Sequence, residues 1–274
     1  QISKKTKCQL QNKKPQTYKL RNLKTFRFVA NKSTNQISFT RMKIKDFYFI
    51  IAAAAVFSPF FWSEAVLETY KTFNHAHPMI MSFLKFAVLA TIGEVIGLRI
   101  KSGVYNQPGF GILPRAIVWG FIGLTIKLAF MIFYTGTPVF LEKTLGIGGA
   151  AKYLNGPLSL NKAGVAFAVS VAMNVMYAPV MMTFHKITDT HIVNNGGTVK
   201  GLFSPIPLGR IFRELNWDVQ YNFVFKKTIP FFWIPAHTIT FLLPVDWQVL
   251  FAAFLGIMLG VFLAVASQMG KIRS

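Results

Sequence analysis

The sequence predicts an all-α fold: a polytopic transmembrane helical bundle of five to six spans over residues 46–274, preceded by a basic tail at 1–45. Apolar runs of about twenty residues recur between Phe47 and Ala266, the length needed to cross ~30 Å of hydrocarbon at ~1.5 Å rise per residue. Composition agrees, with 53% hydrophobic residues, mean hydropathy +0.42 and 14% charged residues, where soluble domains carry about 25% charge. Lys and Arg gather before and between the apolar runs, as membrane topology requires.

The first run, 47–62, is FYFIIAAAAVFSPFFW and is short unless 63–67 extends it. The second, 79–98, and the third, 113–134, reach full length, the third with Arg115 and Lys127 as its charges. The fourth, 163–184, carries no charge. The fifth, 228–244, is the weakest, because Pro230 and Pro235 each remove a helical N–H and crowd the preceding turn. The sixth, 247–266, is uncharged after Asp246 and leads into a basic end at Lys271 and Arg273.

The net charge of +21 would fit a nucleic-acid partner, but residues 1–41 hold eleven of the 30 Lys and Arg and no acid. That tail has no apolar period and reads as a disordered or targeting segment, or else as an extension upstream of a start at Met42. The expected partner is the lipid bilayer, with no nucleic acid. With both termini inside, most inside segments are basic; 135–162 is the exception among the outside ones. The sole cysteine, Cys8, lies in the tail, so no intrachain disulfide or thiolate metal site can form. His75 and His77 lack the HExxH pattern of a metalloenzyme, and LGIGGA at 145–150 lacks the Lys-Ser/Thr of a phosphate loop. No metal, no cofactor and no enzymatic activity are expected.

Small residues at four-residue spacing mark helix packing: Gly164, Ala168 and Ala172; Gly256, Gly260 and Ala264; and the pair Gly93 and Gly97. They imply close backbone approach within the bundle or at the face of a homo-oligomer. Polar groups inside the spans are the candidate pore lining, since an ionised group at the membrane midplane costs at least ~2.5 kcal/mol and turns toward protein or water. Lys85 and Lys127 lie ~9–10 Å from the outer end of their spans, Asn174 and His237 fall near midplane, and Glu94 is ~6 Å from the inner end. Glu94 and Lys127 are then ~13 Å apart along the axis, too far to pair directly. The same residues read equally as lysines snorkelling to headgroups, an interhelical Asn and a satisfied core His. If the two lysines share a cavity, it favours small anions.

The run HAHPMIMSFLKFAVLATIGEVIG, with His77, Pro78, Gly93 and Glu94, and the later run WDVQYNFVFKKTIPFFWIPAHTITFLLPVDWQVLFAAFLGIMLGVFLA, with Trp217, Trp233, Pro235, Pro244 and Trp247, carry a resemblance. Together they resemble the family of peroxisomal 22-kilodalton membrane proteins and their mitochondrial inner-membrane relatives. The chain departs at 239–241, where the family usually has Asn-Phe before the second Pro, at Gln248, where it usually has Arg, and in its extra N-terminal span. The resemblance implies a non-catalytic membrane protein, in some members a non-selective channel for small solutes. A structural or partner-binding membrane protein and a secondary transporter are the alternatives. The membrane expected is an organelle inner membrane, a peroxisomal membrane or a prokaryotic cytoplasmic membrane.

Overall fold

The computed structural model describes residues 43–273, with backbone alone at 259 and 262–273. The tail expected at 1–45 therefore lies almost wholly outside the described residues. Among the described residues every regular element is helical. Three helices are long and apolar enough to cross a membrane, and a fourth crossing is added if a bent pair counts as one span. Five or six crossings are more than this length and composition test gives.

The first apolar run is formed by α1 (Ile44–Phe57) and α2 (Pro59–Trp62), continuous apart from the turn at Ser58 before Pro59. The connection to the next span is itself a helix, α3 (Glu64–Ala76), whose first turn is capped by Ser63 accepting from the Val66 N–H at 3.3 Å. The second apolar run is α4 (Pro78–Ser102), opened by Pro78 in its first turn and closed by Gly103 at φ 72°. The third is α5 (Ile112–Lys143), which continues two turns past the predicted end and holds Pro138 near its own C-terminus.

After α6 (Ala150–Asn155), the fourth run divides into α7 (Leu160–Met176) and α8 (Ala178–Asn194), bent by 44° at Tyr177. Pro179 explains the break, because it has no N–H for the carbonyl four residues back and its ring crowds that carbonyl. Three short helices follow: α9 (Val199–Leu202), α10 (Leu208–Glu214) and α11 (Trp217–Val219). The weak fifth run is wound as a π-helix from Gln220 to Trp233, continued by α12 (Ile234–Leu242). Pro230 and Pro235 account for this register: the wider turn lets the Ile234 N–H reach the Ile229 carbonyl and tolerates the missing donors. The last helix is α13 (Val245–Arg273).

Close contacts fix the packing. α4 and α5 run antiparallel: the Ser82 hydroxyl donates to the Gly123 carbonyl at 2.8 Å, and Glu94 meets Arg115 further along. A side-chain carbon at Gly123 would lie 2.7 Å from the Phe86 Cβ and 2.8 Å from the Ser82 carbonyl oxygen, so only glycine permits this approach. α4 and α13 run parallel, with Gly93 opposite Ile257 and Gly97 opposite Gly260. α7 and α8 pass antiparallel to α5, from the Thr125–Tyr177 hydroxyl contact at 2.7 Å to the Trp119–His185 ring contact at 4.4 Å. The core lies between these helices, with Phe86, Ile122, Phe130, Val169 and Phe241 buried. Phe121, Leu128, Met131, Phe167 and Val175 are exposed on their outer faces, which suits helices whose surroundings are hydrocarbon.

At one end of the bundle the turns before α5 and after α8 cross. A Cβ at Gly111 (φ 71°) would come within 2.8 Å of the Gly197 Cα, and Gly197 itself sits at φ 68°. Both positions need the left-handed backbone and the missing side chain together. The α1 helix is tied to the same end by Asp46. Its carboxylate accepts from Arg99 Nε at 2.7 Å and Nη2 at 2.6 Å, from the Tyr105 hydroxyl at 2.6 Å and from the Lys43 N–H at 2.7 Å.

Candidate functional site

The glycines of α4 and α13 prepare the site by drawing two helices together beside it. A Cβ at Gly93 would sit 2.8 Å from the Ile257 Cα, and one at Gly260 would sit 2.9 Å from the Gly93 carbonyl oxygen. Gly97 approaches the Gly260 carbonyl, with a Cβ there at 3.5 Å, and Gly256 faces Ala90. The side chain of Ala264 lies outside the described residues. The third small-residue stripe is placed differently. Gly164 is exposed with nothing within 4 Å of a Cβ position, and Ala168 and Ala172 are only half-buried. The packed side of α7 runs through Val165, Ala166, Val169, Ser170, Met173 and Asn174 instead, and α7 packs mainly against α12, α6 and α5.

A cavity of about 320 Å³ lies among α4, α5, α7, α8, the π-helix, α12 and α13. Three of the five pore-lining candidates, Glu94, Asn174 and His237, are on its wall. Asn174 is buried and donates to the Ser170 carbonyl at 2.9 Å. His237 stacks on Trp233 with ring centroids 5.3 Å apart and meets Phe130 edge-on at 5.5 Å. Most of the wall between these groups is apolar, including Phe86, Ile126 and Met173.

Glu94 belongs to an ion cluster at one end of the cavity. Its Oε1 accepts from Trp119 Nε1 at 2.8 Å and contacts His185 Nε2 at 3.0 Å, while its Oε2 pairs with Arg115. Arg115 is buried; it also pairs with Asp189, donates to the Phe110 carbonyl at 2.7 Å and lies over the Phe110 ring at 4.4 Å. Lys186 extends the cluster, 3.6 Å from Asp189 and on the cavity wall. The two carboxylates are thus met by a guanidinium between them, so Glu94 does not present a free charge to the cavity. Among the described residues no three of His, Cys, Asp and Glu converge as a metal group would need.

Lys85 and Lys127 come together, but elsewhere. They line a separate pocket of about 190 Å³ toward the start of α4, with Asn74, His75 and Asp246. Lys85 Nζ donates to Asn74 Oδ1 at 2.6 Å and lies 5.2 Å from the Tyr70 ring centroid. Tyr70 itself lines a neighbouring pocket, and burial, with the Asp246 charge as a lesser cause, pushes its phenol up to about 12. The five candidates therefore divide between two pockets and do not form one lysine-to-glutamate track.

The family-like landmarks take positions at helix ends and bends. His77 is the residue before α4 and Pro78 its first. Trp217 opens α11, with its indole N–H donating to the Phe212 carbonyl at 2.9 Å. Trp233 ends the π-helix on the cavity wall and Pro235 lies in the first turn of α12. Pro244 separates α12 from α13, and Trp247 is in the first turn of α13. Gln248, where the resemblance expects Arg, is buried and donates to the Leu243 carbonyl at 3.1 Å.

His185, Asp189, Trp119 and Gln220 are not among the site candidates the sequence offers, and Arg115 stands there as one of two charges of the third run. A signal was present: Arg115 enters α5 at nearly the depth at which Glu94 leaves α4, and opposite charges at one depth in adjacent spans pair. No protein-family profile, curated protein or solved structure matches the chain.

Proposed function

We propose that the chain is an integral membrane protein of six helical crossings that lets small solutes pass, with weak selectivity, through the 320 Å³ cavity. In this reading the crossings are α1–α2, α4, α5, the bent α7–α8 pair, the π-helix with α12, and α13. It is non-catalytic and of the type implied by the resemblance to the peroxisomal 22-kilodalton membrane proteins and their mitochondrial relatives. Its membrane is an organelle inner membrane, a peroxisomal membrane or a prokaryotic cytoplasmic membrane.

The observation that supports the reading is convergence. Glu94, Asn174 and His237 come from three separate crossings to one cavity, and polar groups within membrane helices are retained where they line a path or satisfy one another. The π-helix on the wall adds weight, since such turns gather at functional sites. Because Glu94 is neutralised by Arg115 and the lysines lie in another pocket, selectivity would rest on size and polarity more than on charge.

A second reading is favoured by that same neutralisation: a membrane protein whose cavity holds a molecule without passing it. Vesicles loaded with size-graded neutral solutes separate the two. Leak above protein-free vesicles, with a size cut-off, supports permeation; retention of every solute leaves the binding reading.

A further inference from the structure

Two buried donors in the cavity wall have no acceptor. Gln220, at the start of the π-helix, and Trp233, at its end, are 7% and 9% exposed and both line the cavity. Gln220 Nε2 and Trp233 Nε1 make no hydrogen bond among the described residues. A buried N–H without a partner is costly, and native proteins rarely leave two on the wall of one open space. They lie thirteen positions apart on one helical segment, which at the α-helical rise would be ~20 Å, and a π-helix is shorter and wider. The donors therefore sit toward opposite ends of the same cavity, with an apolar wall between them that includes Val224 and Met173.

We infer that the cavity binds an elongated, uncharged amphiphile with a hydrogen-bond acceptor oxygen at each end, one taken by Gln220 and the other by Trp233. Apolar walls accept its hydrocarbon middle, and the two N–H groups set its length and register. A carboxylate is disfavoured, since the indole and imidazole rings of Trp233 and His237 stack at one end and Lys186, the one Lys or Arg among the described wall residues, is held by Asp189 in the ion cluster. The inference concerns what occupies the cavity, whether or not the occupant crosses the membrane.

The test uses the full chain in detergent micelles with two probes of equal chain length, dimethyl dodecanedioate and hexadecane. Bound amounts are read by native mass spectrometry and corrected for uptake by empty micelles. Wild type should prefer the diester by about tenfold or more, since two hydrogen bonds at ~1 kcal/mol each distinguish the probes. Trp233→Phe and Gln220→Met should each lower that preference by about fivefold, one hydrogen bond apiece, while hexadecane binding is kept. Equal binding of both probes by wild type overturns the inference. So does an unchanged preference in both variants. A variant that loses hexadecane binding has lost the cavity itself, and the wild-type preference then decides. Vesicle leak is measured apart from binding, so failure of permeation and failure of this inference are distinguishable.

Discussion

Gly93 of α4 and Gly260 of α13 meet backbone to backbone: a side-chain carbon on Gly260 would lie 2.9 Å from the Gly93 carbonyl oxygen. Without a hydrophobic drive between helices in lipid, such close contact supplies the van der Waals energy that holds them. It also sets the distance between the two helices that wall one side of the cavity.

Gly260→Leu should therefore destabilise the bundle by ~1–3 kcal/mol, the usual cost of forcing extra carbons into a packed contact. Gly164→Leu, on an exposed stretch of α7 with nothing within 4 Å, is the matched control and should unfold with wild type. Thermal unfolding in detergent reads both. Equal melting of the two variants would mean that the α4–α13 contact contributes nothing.

Arg115 lies between Glu94 and Asp189 and is buried, so removing it strands two carboxylates. Arg115→Met should cost ~3–5 kcal/mol, as breaking one side of a buried pair does. Adding Glu94→Gln and Asp189→Asn to Arg115→Met should recover most of the loss, because no buried carboxylate is then left without its cation and Lys186, about half exposed, keeps its charge in solvent. A triple variant no more stable than Arg115→Met would show that packing of the guanidinium over Phe110, not charge, is what matters there.

Asp46 ties α1 to α4 through two hydrogen bonds from Arg99 and one from Tyr105. Asp46→Asn keeps the shape but loses the two-pronged acceptor, so amide hydrogen exchange should rise across α1 and stay unchanged in α5. Tyr105→Phe, which removes one donor, should give a smaller rise. Uniform protection in Asp46→Asn would place the anchorage of α1 in its apolar contacts alone.

The six proposed crossings would put the α3 connection and the α8–α9 turn on opposite faces of the membrane. On a Cys8→Ser background, Glu68→Cys and Lys200→Cys, both at exposed positions, should react with an impermeant thiol reagent from opposite sides of sealed vesicles. Labelling of both from one side contradicts the arrangement.

Long uninterrupted runs were the most legible part of the sequence. The runs at 79–98 and 113–134 fall within α4 and α5, since length and hydropathy alone define such helices. Proline effects were legible in kind but not in outcome: Pro230 and Pro235 weakened the fifth run on paper, while the chain rewinds it as a π-helix. Gly93 and Gly260 stand out by four-residue spacing, yet their meeting depends on which helices are neighbours. Gly120 and Gly123 went unnoticed at three-residue spacing although Phe83 and Phe86 press directly on them. Glu94 stands out by its depth, and Lys127 lies too far along the axis to pair with it; Arg115, two residues into the third run, is the cation that meets it. Trp233 was noted as a landmark only, because nothing in a one-dimensional reading says which buried N–H groups lack acceptors.

A thiol plug placed in the cavity wall tests most directly whether solute passes through the cavity. Val224 lines the cavity on the π-helix, and Cys8 is the only native cysteine. Val224→Cys on a Cys8→Ser background, reconstituted in vesicles, should leak small neutral solutes as the Cys8→Ser parent does, and a bulky thiol reagent should then stop the leak in the variant and not in the parent. Leak that persists after complete labelling of Val224→Cys would contradict the cavity as the route.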